Sequence, residues 1–316
     1  MHAKRTIALL SLCFLASVLA FLLWNVTSAN LLYHLPRRAV KLAALCMTGS
    51  AIALSTLMFQ TVTANNILTP SILGLDSLYL LIQTMIVFLF GSKQLALIKR
   101  HSEYLLSVVL MVVFSLILFS LLLGKRNLGL SLVLLLGMMF GQLFGGIASF
   151  IQILIDPNEF LTVQARLFAS FNSVNTSLLF VSSLLFGGVF LVVLPNLDTL
   201  DVLSLGRDTA ISLGIDYPLK SRLFLVLVAI LTSVATALVG PVTFLGLLVV
   251  NLAKQMAKTY RHRLLLPVSC LLSMTSLVLG QLLVARIFQF NTPISIIINF
   301  LGGIYFLSLL ISRGKA

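Results

Sequence analysis

Residues 104–123 read YLLSVVLMVVFSLILFSLLL, twenty in a row without a charge, and that run decides the fold class. An α-helix rises 1.5 Å per residue and a bilayer's hydrocarbon core is about 30 Å thick, so about 20 apolar residues cross it once. Gly124, Lys125 and Arg126 end the run, and a second follows at 128–147. Similar runs occupy 6–24, 42–59, 178–194, 223–239, 264–284 and 294–311, each bounded by charges, Gly or Pro. Two more are interrupted. The run 75–90 follows Asn65, Asn66, Pro70 and Gly74, and 242–257 opens on Gly240, Pro241 and Gly246 and contains Asn251 and Lys254. About ten membrane helices are expected, forming an all-α polytopic fold in a single transmembrane domain over 1–316.

Composition agrees with that reading. Of the 316 residues 59% are hydrophobic and only 9% charged, against about 25% charged in soluble domains. Ten crossings use about 200 residues, which leaves loops too short for a separate catalytic domain. The net charge of +13 comes without basic runs interleaved with aromatics, so no nucleic-acid partner is expected and the cations belong at lipid surfaces. Cys13, Cys46 and Cys270 lie far apart in apolar runs, with neither zinc spacing nor a disulfide framework. His2, His34, His101 and His262 form no ligand cluster with Cys or carboxylates, so no metal site is expected.

Lys4 and Arg5 before the first run, with Thr27, Ser28 and Ala29 after it, mimic a secretory signal. The run of 19 residues exceeds the 7–15 of a signal core, so a retained anchor is expected. With the amino terminus inside, thirteen of the 21 Lys and Arg fall on cytoplasmic segments, and the positive-inside rule favours this orientation. Both termini are then expected in the cytoplasm.

A proton-coupled transporter keeps an ionisable group within its spans. The eight acids are all read outside mid-span, and Asp198, Asp201, Asp208 and Asp216 concentrate in the loop after the sixth run. There Leu197, Leu200, Leu203, Leu205, Ala210, Ile211 and Leu213 alternate with Asp201, Arg207, Asp208 and Asp216 at roughly helical spacing, broken by Gly206 and Gly214. Two short amphipathic helices are predicted within 197–217. They can seat in a cleft of another protein and pass on its motion, or rest on lipid as interfacial helices. In the fifth run Gly137, Gly141 and Gly145, with Gly146, form a small-residue face that permits close helix contact.

Four stretches together resemble the permease subunits of ABC importers for iron-siderophores and cobalamin, the FecCD-like group. They are Leu35-Pro36-Arg37 with the run through Gln60, then NNILTPSILG (65–74), the loop Leu203 to Gly214, and GPVTFLGLLVVNLAK (240–254) continued by RHRLLLP (261–267). Pro293, Gly302 and Phe306 add a match in the last run. The chain departs from the family pattern at Val250 and Asn251 (commonly Pro-His), Gln281 (commonly Asp), Asn66, Thr69, Ser71 and Arg207, and these departures resemble the iron-siderophore branch.

The resemblance implies inverted repeats over spans 2–5 and 7–10, with Pro70 to Gly74 and Pro241 to Gly246 as corresponding breaks beside the translocation path. It implies that Leu203, Leu205, Gly206, Arg207, Asp208, Ala210, Leu213 and Gly214 couple to a cytoplasmic ATPase. It also implies that Arg37 and Arg286, with His34 and Arg38 beside them, face the acidic surface of an extracytoplasmic binding protein; snorkelling cations anchored at the interface are the plainer account. The expected partners are a second permease subunit, two ATPase subunits and a binding protein carrying a ferric siderophore. No Gly-x-x-x-x-Gly-Lys-Ser/Thr loop is present, so ATP and magnesium are expected on the partner subunits. A secondary transporter of a small organic solute, an importer of cobalamin or haem, and a membrane anchoring protein without transport are the alternatives.

Overall fold

A computed structural model describes residues 2–24, 31–95, 100–122, 130–172, 174–288 and 292–313, and among them every regular element is helical. In chain order these are α1 (His2–Leu23), α2 (Leu31–Val62), α3 (Leu75–Leu95), α4 (Arg100–Leu122), α5 (Leu130–Leu154), α6 (Pro157–Leu167), α7 (Thr176–Val193), α8 (Leu197–Leu203), α9 (Arg207–Ser212), α10 (Tyr217–Val239), α11 (Leu245–Ala257), α12 (His262–Arg286) and α13 (Ile294–Arg313). Each of the ten expected runs coincides with one of them. Among the described residues seven helices are long and apolar enough to cross a membrane, while Leu75–Gly91, Leu245–Ala257 and Ile294–Leu307 are shorter apolar helices. Thr27, Ser28 and Ala29, and the loop cations Lys99, Lys125, Arg126 and Lys315, lie outside the described residues.

The bundle is organised around α2, which packs against α7, α10, α11 and α12. Ala44, Leu45, Ala51, Leu54, Leu57, Met58 and Phe59 are each at most 1% exposed. Thr48, Ser55, Thr56, Gln60 and Thr61 are buried as well, so this post is enclosed on all sides, unlike an amphipathic surface helix. A second cluster joins Leu75, Tyr79, Ile82 and Val87 of α3 to Met111, Ile151, Ile155 and Val163. The outward faces are apolar too: Leu9, Leu12, Leu15, Leu19 and Leu23 form a stripe along α1, and Phe150 and Ile153 stand out from α5. Such a continuous apolar exterior suits lipid rather than water.

Two features differ from the sequence expectation. The second helix begins at Leu31, so Pro36 and the cations Arg37, Arg38 and Lys41 stand on its first turns rather than on a loop before it. The short α6 was not anticipated because its residues are polar on average; Asp156 caps it by accepting from Asn158 N at 2.9 Å, and Pro157 opens it.

Tyr217 Oη donates to Val62 O at 3.2 Å, which sets the start of α10 beside the end of α2 and makes the two antiparallel. The two helices therefore finish at opposite ends of the bundle. After α2, Ala64 takes a left-handed conformation (φ 48°) and Asn65 N donates to Gln60 O at 3.1 Å. A 3-10 turn, Pro70–Leu73, follows and ends on Gly74 at φ 86°. That turn wedges onto α5: a Cβ on Gly137 would lie 2.7 Å from Leu73 Cδ2, and one on Gly74 would lie 2.8 Å from the Gly141 backbone. Part of the small-residue face is thus filled within the chain, whereas Gly145 and Gly146 have nothing within 4 Å.

Gly74→Ala places a methyl against backbone in a left-handed conformation, so a loss of about 2–4 kcal/mol is expected. Thermal unfolding in detergent checks it, with Gly145→Ala expected to match the parent chain.

Candidate functional site

The two interruptions meet inside the bundle. Asn66 is the knot on one side: its carbonyl accepts from Gln60 Nε2 and from Asn251 Nδ2, both at 2.9 Å, and its side-chain oxygen accepts from Lys254 Nζ at 2.6 Å. Lys254 Nζ also donates to Gln60 Oε1 at 2.7 Å. Asn65 closes the turn locally by accepting from Ile67 N at 2.9 Å. On the α10 side, Gly240 (φ 106°) turns the chain beneath Ala169, Pro241 follows, and α11 starts against α2; a Cβ on Gly246 would meet Thr56 Oγ1 at 2.1 Å. The residues read as paired breaks, Asn65, Asn66, Pro70 and Gly74 with Gly240, Pro241, Gly246 and Asn251, thus belong to adjoining segments bridged by Asn66 and Asn251.

A carboxylate completes the bridge. Asp76 Oδ2 accepts from Thr243 Oγ1 at 2.6 Å. Asp76 stands in the first turn of α3, so the bond ties the start of that helix to the segment that precedes α11.

At the end of the bundle where α2 starts, the basic cluster divides. Arg38 Nη1 donates to Phe21 O, Leu22 O and Trp24 O at 3.2, 2.8 and 3.0 Å. Arg286 Nη2 donates to Trp24 O at 3.1 Å, and its guanidinium lies 5.8 Å from the Trp24 ring centre. Both cations therefore serve the carbonyls that α1 leaves unpaired at its C-terminus. Arg37 is exposed and His34 partly so. With Lys41, Asn172 and Thr176 they line a cleft of about 570 Å³, where Asn172 Oδ1 accepts from Lys41 Nζ at 2.9 Å and from Gln281 Nε2 at 3.3 Å.

At the opposite end stand α8 and α9, the two short helices expected from the 197–217 pattern. Leu200, Leu203 and Ala210 are buried against the bundle, while Leu205, Ile211 and Leu213 are 57%, 49% and 60% exposed. Arg207, Asp208 and Gly214 are also exposed. Gly206 (φ 96°) and Gly214 (φ 82°) hold left-handed turns that bracket α9. The residues read as one set thus split by role: Leu203 and Ala210 attach the helices, and the others form an outward face. Among the described residues, no three His, Cys, Asp or Glu groups could together hold a metal ion.

The model of the FecCD transport family matches residues 6–312. The chain belongs to the FecCD transport family. The petrobactin import system permease protein YclO of Bacillus subtilis is 48% identical over 316 residues, all of both chains. Petrobactin import system permease protein FatC of Bacillus anthracis is 38% identical over 277 residues, 88% of this chain and 78% of FatC. A solved metal-chelate type ABC transporter in an inward-facing conformation has the same fold, with a TM-score of 0.82 at 22% identity over 98% of this chain and 99% of that one. As a FecCD member the chain is a multi-pass membrane component of a transporter.

In this FecCD chain the Asp76–Thr243 bond ties one broken segment to the other. Asp76→Asn keeps an acceptor for Thr243 and is expected to leave stability nearly unchanged. Asp76→Leu strands the hydroxyl at a cost of about 1–3 kcal/mol. A double-mutant cycle with Thr243→Val, read by thermal unfolding, measures the coupling.

Proposed function

We propose that this chain is the membrane-spanning permease subunit of an ATP-driven importer of ferric siderophores, with ferric petrobactin as the cargo its relatives' names favour. It works with a second permease subunit, two ATPase subunits that bind ATP and magnesium, and an extracytoplasmic binding protein. The α8–α9 end faces the cytoplasm together with both termini, in the inner membrane of a bacterium. The Arg37 end faces the binding protein.

The observation that carries this reading is the outward face of α8 and α9. Leu205, Ile211 and Leu213 stand exposed at a bundle end, flanked by Arg207 and Asp208 and attached from behind by Leu203 and Ala210. An apolar ridge with a charged rim fits a groove in another protein. The permease then needs no chemistry of its own: ATP hydrolysed by the partner shifts it between outward-open and inward-open packings, and the chelate passes between the two permease subunits. On the other face Arg37 offers a fixed, always-charged fork to carboxylates of the binding protein. Arg38 and Arg286 hold α1 behind it.

One observation favours the rival reading of a secondary transporter, the carboxylate of Asp76 bonded between helices of the bundle. Its bond to Thr243 fits an internal brace equally well. Uptake of ferric petrobactin into proteoliposomes separates the two: import by the complete complex should require ATP, and import by the permease alone under an ion gradient would sink the ABC reading.

Leu205→Arg is expected to abolish copurification of the ATPase and chelate uptake while the chain still inserts. Arg37→Glu is expected to lower affinity for the binding protein and flatten its salt dependence, measured by binding titrations at several salt concentrations.

A further inference from the structure

The buried side of α8 is apolar except at one point. Leu197, Leu200 and Leu203 pack inward, and such contacts resist separation but have no preferred direction along the interface. Between them, on the same short helix, Asp201 makes directional bonds. Its Oδ1 accepts from His262 N at 2.6 Å and lies 2.6 Å from His262 Nδ1. The far nitrogen of the ring, Nε2, is 2.8 Å from Thr61 Oγ1, whose one proton goes either to that nitrogen or to Leu57 O, also 2.8 Å away. One chain of polar contacts therefore runs from α8 through the first residue of α12 into the last turns of α2.

His262 is 2% exposed and Thr61 7%, so these contacts sit where water competes little and each is stiffer than on a surface. The carboxylate also fills a gap in α12. Arg261, at the N-cap, provides no side-chain cap, and the orphan N–H groups of that 25-residue helix favour a negative group at its start. Asp201 supplies that cap from another element. Beside Thr61, Gln60 holds Asn66 at the head of the broken segment, so the same turn of α2 joins the chain to the interrupted helices. The exposed Arg263–Asp198 pair, at 3.0 Å with side chains 68% and 71% exposed, lies in water and adds little.

We infer that Asp201, His262 and Thr61 form the joint that carries a displacement of α8 into α12 and α2. The inference rests on α8–α9 being the seat of the ATPase. The three are positioning residues: the joint turns a push on a seven-residue helix into movement of the central post.

The test uses the complete importer in proteoliposomes, with uptake of radioiron-labelled ferric petrobactin and ATP hydrolysis read on the same sample. Asp201→Ala is expected to retain the ATPase and to lower uptake per ATP hydrolysed about tenfold, within the usual range of coupling between sites. Thr61→Val, which removes only the hydroxyl and leaves the α12 cap, lowers the same ratio. Asp201→Asn, which keeps an acceptor oxygen, preserves most of it. The double variant Asp201→Ala/Thr61→Val falls no further than the worse single one, because both cut one chain. A merely structural defect would reduce the amount of complex and leave the ratio alone. An unchanged ratio in Asp201→Ala overturns the joint, as does an unchanged ratio in Thr61→Val should Asp201→Ala not assemble. Loss of the ATPase from Asp201→Ala overturns it as well, since the carboxylate would then be a docking contact. If the parent chain itself retains no ATPase, it is the reading of α8–α9 that fails.

Discussion

Inside a membrane every backbone N–H and C=O must be paired within the protein, since lipid offers no partner. A continuous helix meets that demand by itself. The chain stops being helical where α2 gives way to α3 and where α10 gives way to α11, and much of the remaining architecture closes those gaps. Asn66 O takes bonds from Gln60 and Asn251, Thr243 reaches Asp76, and Ser170 N donates to Val239 O at 3.0 Å where α10 ends. Asn251 of α11 serves the first break, and Ser170 and Asn299 serve the second, so each is closed partly by other elements of the bundle.

The helices were legible because their signal is redundant: an uncharged run as long as a bilayer is thick survives many individual exceptions. The pair α8 and α9 was legible from alternation and from Gly206 and Gly214, whose positive φ values fit the breaks. Roles within the pair were not, because burial of Leu203 and exposure of Leu205 depend on which side faces the bundle. The docking roles of Arg286 and of Arg38 beside Arg37 are what the family resemblance implies. Their bonds to the carbonyls of α1 come from helices far apart in sequence, and no spacing rule encodes them. His262 belongs to no metal-ligating cluster, and its partners in the fold are a carboxylate 61 residues upstream and a hydroxyl 201 residues upstream.

The two ends of the bundle handle helix termini by complementary means. Where α1 ends, two guanidinium groups meet orphan carbonyls, and where α12 begins, a carboxylate meets orphan N–H groups. Each places a charge against the helix end of opposite partial charge. The consequences differ because the donors differ in attachment. Arg38 and Arg286 stand on long helices of the bundle itself, so their bonds fasten α1 to it. Asp201 stands on a seven-residue helix that lies outside the bundle proper, so its bond fastens the bundle to something that can be moved.

A lever needs both slip and grip. Apolar contacts provide slip, since they cost little to shift while the buried area stays constant; hydrogen bonds provide grip, since they weaken steeply with angle and distance. In α8 the apolar residues outnumber the single buried-side polar contact, so the helix can ride on the bundle only about the point where Asp201 holds it. From there, stiff connections run through α12 and α2 to Asn66 and the broken segments, while Gly145 and Gly146 of α5 stay open on the outer surface. Under the proposed joint, movement entering at α8 reaches the interrupted helices before the lipid-facing ones.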